Sequence, residues 1–189
     1  MIPASFSTFF TVSATAVASL IGLLFVAVSV APGRTVGKSA PASRRSVAEN
    51  AFTTLLNAFL VSLIALLPTA PLALGVLAVT GSTLVGSLRS LVMMVVGQRK
   101  DSVSWLNLAR QLLLPVGMLA VYVWEFAWGI SVYGKATLSA DDVGTLAVIL
   151  ILLEGLAIVR AWELIGAQRT SLFGLLGALE PPEEGDSGQ

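Results

Sequence analysis

The chain contains no cysteine and no histidine. That removes disulfides, thiolate nucleophiles, Cys/His zinc sites and His-ligated haem. It also removes Ser-His-Asp catalysis and any histidine proton shuttle. An enzyme built from this sequence would have to work with carboxylates, Lys, Arg, Ser, Thr, Tyr or a borrowed cofactor. Without a thiol to oxidise, the missing cysteines carry no information about redox compartment. Charge is scarce as well: 12% of the 189 residues are charged, with 11 Lys and Arg against 11 Asp and Glu. Soluble domains carry about 25%. No phosphate-binding glycine loop and no basic nucleic-acid patch is present, and the composition implies no cofactor.

What the sequence has in quantity is apolar length. Hydrophobic residues make up 56% of it, and the mean hydropathy is +0.88. A soluble fold of this size could not hide so much apolar surface, so lipid is the expected solvent. The pattern predicts an all-α, polytopic membrane helix bundle with spans at about 6–30, 47–67, 72–96, 105–130 and 142–166. The first run lacks a basic n-region and exceeds the usual signal-peptide core, and Pro32 follows the Ser29-Val30-Ala31 site. It therefore reads as an uncleaved helix, with a signal peptide as the alternative. Ser46-x-x-Glu49 is a capping-box pattern that predicts a helix start near Val47. Ser102 or Ser104 is expected to cap the fourth helix, and Ser139 or Asp141 the fifth. Pro68 and Pro71 confine the second and third helices to a tight antiparallel hairpin.

The basic residues give the five spans an orientation. Arg34, Lys38, Arg44 and Arg45 lie in the first connection, and Arg99 and Lys100 in the third. With an odd number of spans, ten of the 11 Lys and Arg fall at or near one side, and Lys135 alone at the other. The positive-inside rule then predicts N-out/C-in. Trp105 and Trp162 near inner ends, and Trp128, Tyr133 and Phe6 near outer ends, suit an aromatic belt. They suit ordinary outward-facing surface equally well. The connection 32–46 is rich in Pro, Gly, Ser and Ala. Its basic residues are read as enforcing topology rather than as recognising a specific lipid. Residues 170–179 have apolar spacing that suits a short interfacial helix, weakened by Gly174 and Gly177. Residues 180–189 form an acidic tail expected to be disordered.

Ionisable groups inside lipid mark functional sites by default. Glu154 stands first, about 12 residues and so roughly 18 Å into the fifth helix, near the midplane. At that depth a carboxyl without a cation partner is expected to be neutral and hydrogen-bonded. Glu125, nearer the outer side on the fourth helix, is a candidate entrance group. Asn57 and Arg89 lie where either could reach Glu154. The competing reading is that Glu154 is interhelical glue, satisfied by Asn57, Arg89 or a Ser/Thr hydroxyl, and it is the preferred one, because one carboxylate is not a pathway. Arg160 and Glu163, three apart, are expected to form a structural pair. Small residues recur every four positions at Ala14, Ala18 and Gly22, and at Ala78, Ser82 and Gly86. Such stripes build helix interfaces, expected first within one subunit and otherwise between copies. Pro115 is expected to kink the fourth helix.

The stretch Phe9-Phe10 followed by Ala18-Ser19-Leu20-Ile21-Gly22-Leu23-Leu24-Phe25-Val26-Ala27-Val28-Ser29 resembles the opening of uncharacterised small bacterial multi-pass membrane proteins, some of them labelled modulators of a membrane protease. The resemblance covers one span of five and carries over no functional residue. It implies a bacterial cytoplasmic membrane. Two functions remain open. One is a non-enzymatic scaffold or regulatory subunit, whose partners are the lipid bilayer and either further copies of itself or another membrane protein. The other is a small channel or ion-coupled transporter that uses Glu154.

Overall fold

The computed structural model describes residues 4–30, 42–68, 71–98, 105–135 and 137–165. They form five helices: α1 (Ala4–Val30), α2 (Ala42–Leu66), α3 (Leu72–Gln98), α4 (Trp105–Val132) and α5 (Ala140–Ile165). Each contains a stretch long and apolar enough to cross a membrane. The expected interfacial helix at 170–179 and the acidic tail lie outside the described residues, as do Ser102 and Ser104.

Helix ends follow local chemistry, with one correction. Ser139 caps α5 reciprocally: its hydroxyl accepts from the Asp142 N–H at 3.1 Å, and the Asp142 carboxylate accepts from the Ser139 N–H at 3.0 Å. Lys135 adds an exposed ion pair to Asp142 at 2.9 Å. At α2 the capping-box expectation fails. The helix begins at Ala42, so Ser46 lies inside it and not at its cap. No glycine or proline separates Ala42 from Val47, so nothing stops the helix from running one turn further back towards Pro41.

Helix α2 is the hub. It packs against α1, α3 and α5, while α3 packs on α4, α4 on α5 and α5 on α1. The hydrogen bonds from α2 to Tyr122 and Glu125 bring α4 against it as well. The helices alternate in direction. Gly75 near the start of α3 meets Ile64 near the end of α2, Gly129 near the end of α4 meets Leu77, and Gly144 of α5 faces Phe6 of α1. One end of the bundle therefore carries the basic connections, α1–α2 and α3–α4. The other carries the α2–α3 and α4–α5 turns.

The core is apolar where the helices cross: Phe10, Val17, Leu55, Val61, Val76, Leu146, Ile149, Leu150 and Leu153 are all buried. The outside is apolar too, with Leu23, Phe25, Val85, Met93, Ile130 and Ile151 exposed. Among the described residues, in contrast, eight polar or charged ones are buried: Ser13, Thr54, Asn57, Ser62, Thr80, Thr83, Glu125 and Arg160. A water-soluble bundle has the opposite pattern. Between helices that gain nothing from hydrophobic burial against lipid, cohesion rests on close packing and interhelical hydrogen bonds.

The small-residue stripes do not supply that packing. Ala14 is buried, but Ala18, Gly22, Ala78, Ser82 and Gly86 are exposed on the outside of α1 and α3. The expectation that they pack within one subunit is corrected. Close approach is made instead at Gly75, where a Cβ would fall 2.6 Å from the Ile64 side chain, and at Gly129, 2.9 Å from Leu77. Spacing along a helix records which residues share a face, but not which way that face turns.

Candidate functional site

Glu125 is the centre of the most deeply buried polar cluster. It sits on α4 about 10 Å from the Val132 end, is 0% exposed, and points inward between α2 and α3. The Asn57 amide of α2 donates to its Oε2 at 2.8 Å. The Asn57 carbonyl oxygen in turn accepts from the Thr83 hydroxyl of α3 at 3.3 Å, and that hydroxyl also lies 3.0 Å from the backbone carbonyl of Val79. Asn57 thus bridges α3 and α4 through both ends of its amide. The other carboxyl oxygen, Oε1, is buried without a hydrogen bond, and so is Oγ1 of Thr80, which faces the same carboxyl from α3. Two buried oxygens without a well-formed hydrogen bond in one cluster are unusual in a packed interior.

One turn along α4, Tyr122 is buried and donates to the Thr54 hydroxyl at 2.7 Å, while Thr54 donates to the Asn50 carbonyl at 2.7 Å. This second polar level borders a cavity of about 20 Å³ lined by residues of α2, α3 and α4. Pro115 lines it, and its ring nitrogen leaves the Gln111 carbonyl without its helical donor.

Glu154 occupies a separate and shallower cluster. It is half-buried, and the Ser13 hydroxyl of α1 donates to its Oε1 at 2.5 Å. Ser13 is also 2.9 Å from the buried Ser62 hydroxyl of α2. The neighbouring Gly155 is exposed, with nothing near its missing Cβ, so none of the described helices packs closely against it. Neither carboxylate pairs with a cation among the described residues.

Of the sequence-derived candidates, the structure brings Glu125 and Asn57 together and leaves Glu154 apart from both. Asn57 does not reach Glu154, because that side of α2 faces α4. Arg89 is exposed on the outside of α3 and reaches neither carboxylate. Arg160 and Glu163 do pair, at 2.9 Å, with the guanidinium buried and its Nε lacking a partner. Trp128, expected as an interfacial anchor, is buried, and its indole N–H ties α4 to the Asp142 carbonyl at 2.8 Å. Ser13, Ser62, Thr54, Thr80, Thr83 and Tyr122 were not singled out by sequence reasoning. A signal existed for most of the central seam: Ser46, Asn50, Thr54 and Asn57 recur at helical spacing on α2, and Thr80, Thr83, Ser87 and Ser90 on α3.

No family model, curated protein or solved structure matches this chain.

Proposed function

We propose that this chain is a multi-pass protein of the bacterial cytoplasmic membrane, N-out/C-in, that takes up and releases a proton at Glu125. One observation carries the reading. A fully buried carboxyl, held only by neutral partners, keeps one oxygen without a hydrogen bond. A carboxylic acid can donate from that oxygen to Thr80, and a carboxylate can accept from Thr80, so the same pair of groups serves both protonation states. Desolvation makes a fixed charge costly there, whereas a proton removes the charge altogether. The charge distribution supports the orientation, with the basic connections at the cytoplasmic end. The resemblance of the first helix supports the bacterial membrane.

Glu154, the first candidate on sequence grounds, suits interhelical glue: it is half-buried and satisfied by Ser13, itself bonded to Ser62. Infrared difference spectroscopy of the reconstituted protein tests the assignment. A protonated-carboxyl band that titrates with pH is expected in the wild type and in Glu154→Gln, and is expected to be lost in Glu125→Gln. Proton flux into liposomes should follow the same order. A band or flux unchanged in Glu125→Gln removes the reading.

The outward-turned small residues favour a second reading, a scaffold or regulatory subunit that associates with further copies or with another membrane helix. Ala18 and Gly22 on α1, with Ala78, Ser82 and Gly86 on α3, give two exposed faces where a helix can approach closely. Disulfide trapping from Gly22→Cys or Gly86→Cys in membranes tests this, and a chain that stays monomeric at both positions argues against it for self-association.

A further inference from the structure

The surroundings of Glu125 are not symmetric along the bundle. Toward the α2–α3 and α4–α5 turns lie Val76, Trp128, Val132 and Val143, all buried, with Leu72 at their edge. Among the described residues the polar side chains at that end are already engaged: the Trp128 indole N–H bonds the Asp142 carbonyl, the Ser131 hydroxyl the Trp128 carbonyl, and the Ser62 hydroxyl that of Ser13. Toward the basic end, three helices contribute polar side chains to one file: Ser46, Asn50 and Thr54 from α2, Ser87 and Ser90 from α3, and Tyr122 from α4. They enclose the cavity of about 20 Å³, room for one water with several hydrogen-bonding partners. Between this cavity and the carboxyl stands the 2.7 Å hydrogen bond from Tyr122 to Thr54.

The side chains that face Glu125 are uncharged: Asn57 from α2, Thr80 from α3, and one turn along α4 the Tyr122 phenol, whose hydroxyl donates to Thr54. Thr83 joins them through Asn57. Glu154 of α5 is engaged with Ser13, and Arg89 is exposed.

We propose that Glu125 communicates with water from the basic end of the bundle alone, through this polar file, and that the Tyr122–Thr54 hydrogen bond is its constriction. The inference rests on the proton-binding reading of Glu125 and adds its route. Hydroxyls and an amide at helical intervals provide successive donors and acceptors for a water or a hydrated proton. Val76, Val132 and Val143 on the opposite side offer none, and water in a dry apolar gap has too few partners to stay. A second opening competes with this file. A groove of about 160 Å³ between α2 and α3 reaches Asn57 and Thr83 past Ser82 and Thr53, but it opens sideways. In a membrane it faces hydrocarbon.

The natural absence of cysteine makes the test direct. Single substitutions Ser46→Cys, Asn50→Cys and Ser90→Cys probe the file, Val76→Cys the apolar side, Ser82→Cys the lateral groove and Thr80→Cys the carboxyl beyond the constriction. A charged, membrane-impermeant thiol reagent is applied to each face of sealed vesicles containing the full chain. The file positions are expected to react from the basic face only. Val76→Cys and Ser82→Cys are expected to stay unreactive, and Thr80→Cys to react slowly. Adding Tyr122→Phe, which keeps the ring and removes one hydrogen bond, should speed the Thr80→Cys reaction about tenfold. Reaction at Val76→Cys or Ser82→Cys, or a file inert from both faces, overturns the route. The infrared band of Glu125, measured in the same variants, separates the two failures. A titrating band beside an inert file overturns the route alone, and a missing band overturns the proton reading with it.

Discussion

Two carboxylates lie inside the same bundle and are handled differently. Glu154 is half-buried at the contact of α1, α2 and α5, where one serine hydroxyl satisfies it and a second serine holds the first. Glu125 is sealed between α2, α3 and α4, shares an amide with its neighbours, and retains an unpaired oxygen. The first arrangement ties three helices together using groups that can also meet the surroundings. The second places an ionisable group where charge is expensive and leaves its hydrogen bonding incomplete. The comparison teaches that depth along a helix does not rank intramembrane carboxylates. The direction of the side chain and the completeness of its bonding do.

Thermal or denaturant unfolding in detergent can break that comparison, taken from the largest effect down. Asn57→Leu should cost about 2 kcal/mol, because it leaves Glu125 buried with neither oxygen bonded. Adding Glu125→Leu should restore most of the loss, since two apolar side chains no longer strand a polar group. A double variant as unstable as Asn57→Leu alone would show that Asn57 acts through packing rather than through the carboxyl.

The glycines beside the two carboxylates sharpen the contrast. Gly129→Ala, one turn beyond Glu125, brings a methyl group into Leu77 and should lose about 1 kcal/mol net of its helix-propensity gain. Gly155→Ala, next to Glu154, meets open space and should gain about 0.5 kcal/mol. Equal effects at the two positions would mean that the Glu154 side is as tightly packed as the Glu125 side. Ser13→Ala removes both hydrogen bonds of the Glu154 cluster and should cost about 0.5 kcal/mol, the ordinary scale for interhelical bonds among membrane helices. A loss as large as that from Asn57→Leu would place the two clusters on the same footing. Lys135→Ala, at the exposed ion pair with Asp142, should leave stability nearly unchanged, because solvent screens the pair.

How much of this was legible in the sequence depends on the element. The five helices were, because each is a long apolar run closed by prolines, by Ser139 or by basic residues. The start of α2 was misplaced because Ser46-x-x-Glu49 matches a cap without being one. Ser46 instead lines the polar cavity. Arg160–Glu163 was legible, since three residues on one helix fix the pair locally. A Ser/Thr hydroxyl was among the partners expected for Glu154, but which one was not legible, and neither was the partner of Glu125. Matching depths suggested Asn57 for Glu154, yet Asn57 turns toward α4, while Ser62, further along the same helix, serves the Glu154 cluster through Ser13. The polar spacing on α2 and α3 was present to be read, but in serine and threonine, residues that also bond their own helix backbone and so give an ambiguous signal.

The sequence by itself determined the helical class, the count of five membrane-capable helices and the segregation of basic residues to alternate connections. These are sums over contiguous residues, and hydropathy and charge add up along the chain without knowledge of neighbours. Only the tertiary structure decided that α2 is the hub, that the small-residue stripes turn outward, and that Glu125 rather than Glu154 is the sealed carboxyl. Those outcomes depend on how each helix is rotated about its axis when it packs. That rotation is set by the fit of side chains from several helices at once, at Gly75 against Ile64 and Gly129 against Leu77, and no single segment contains it.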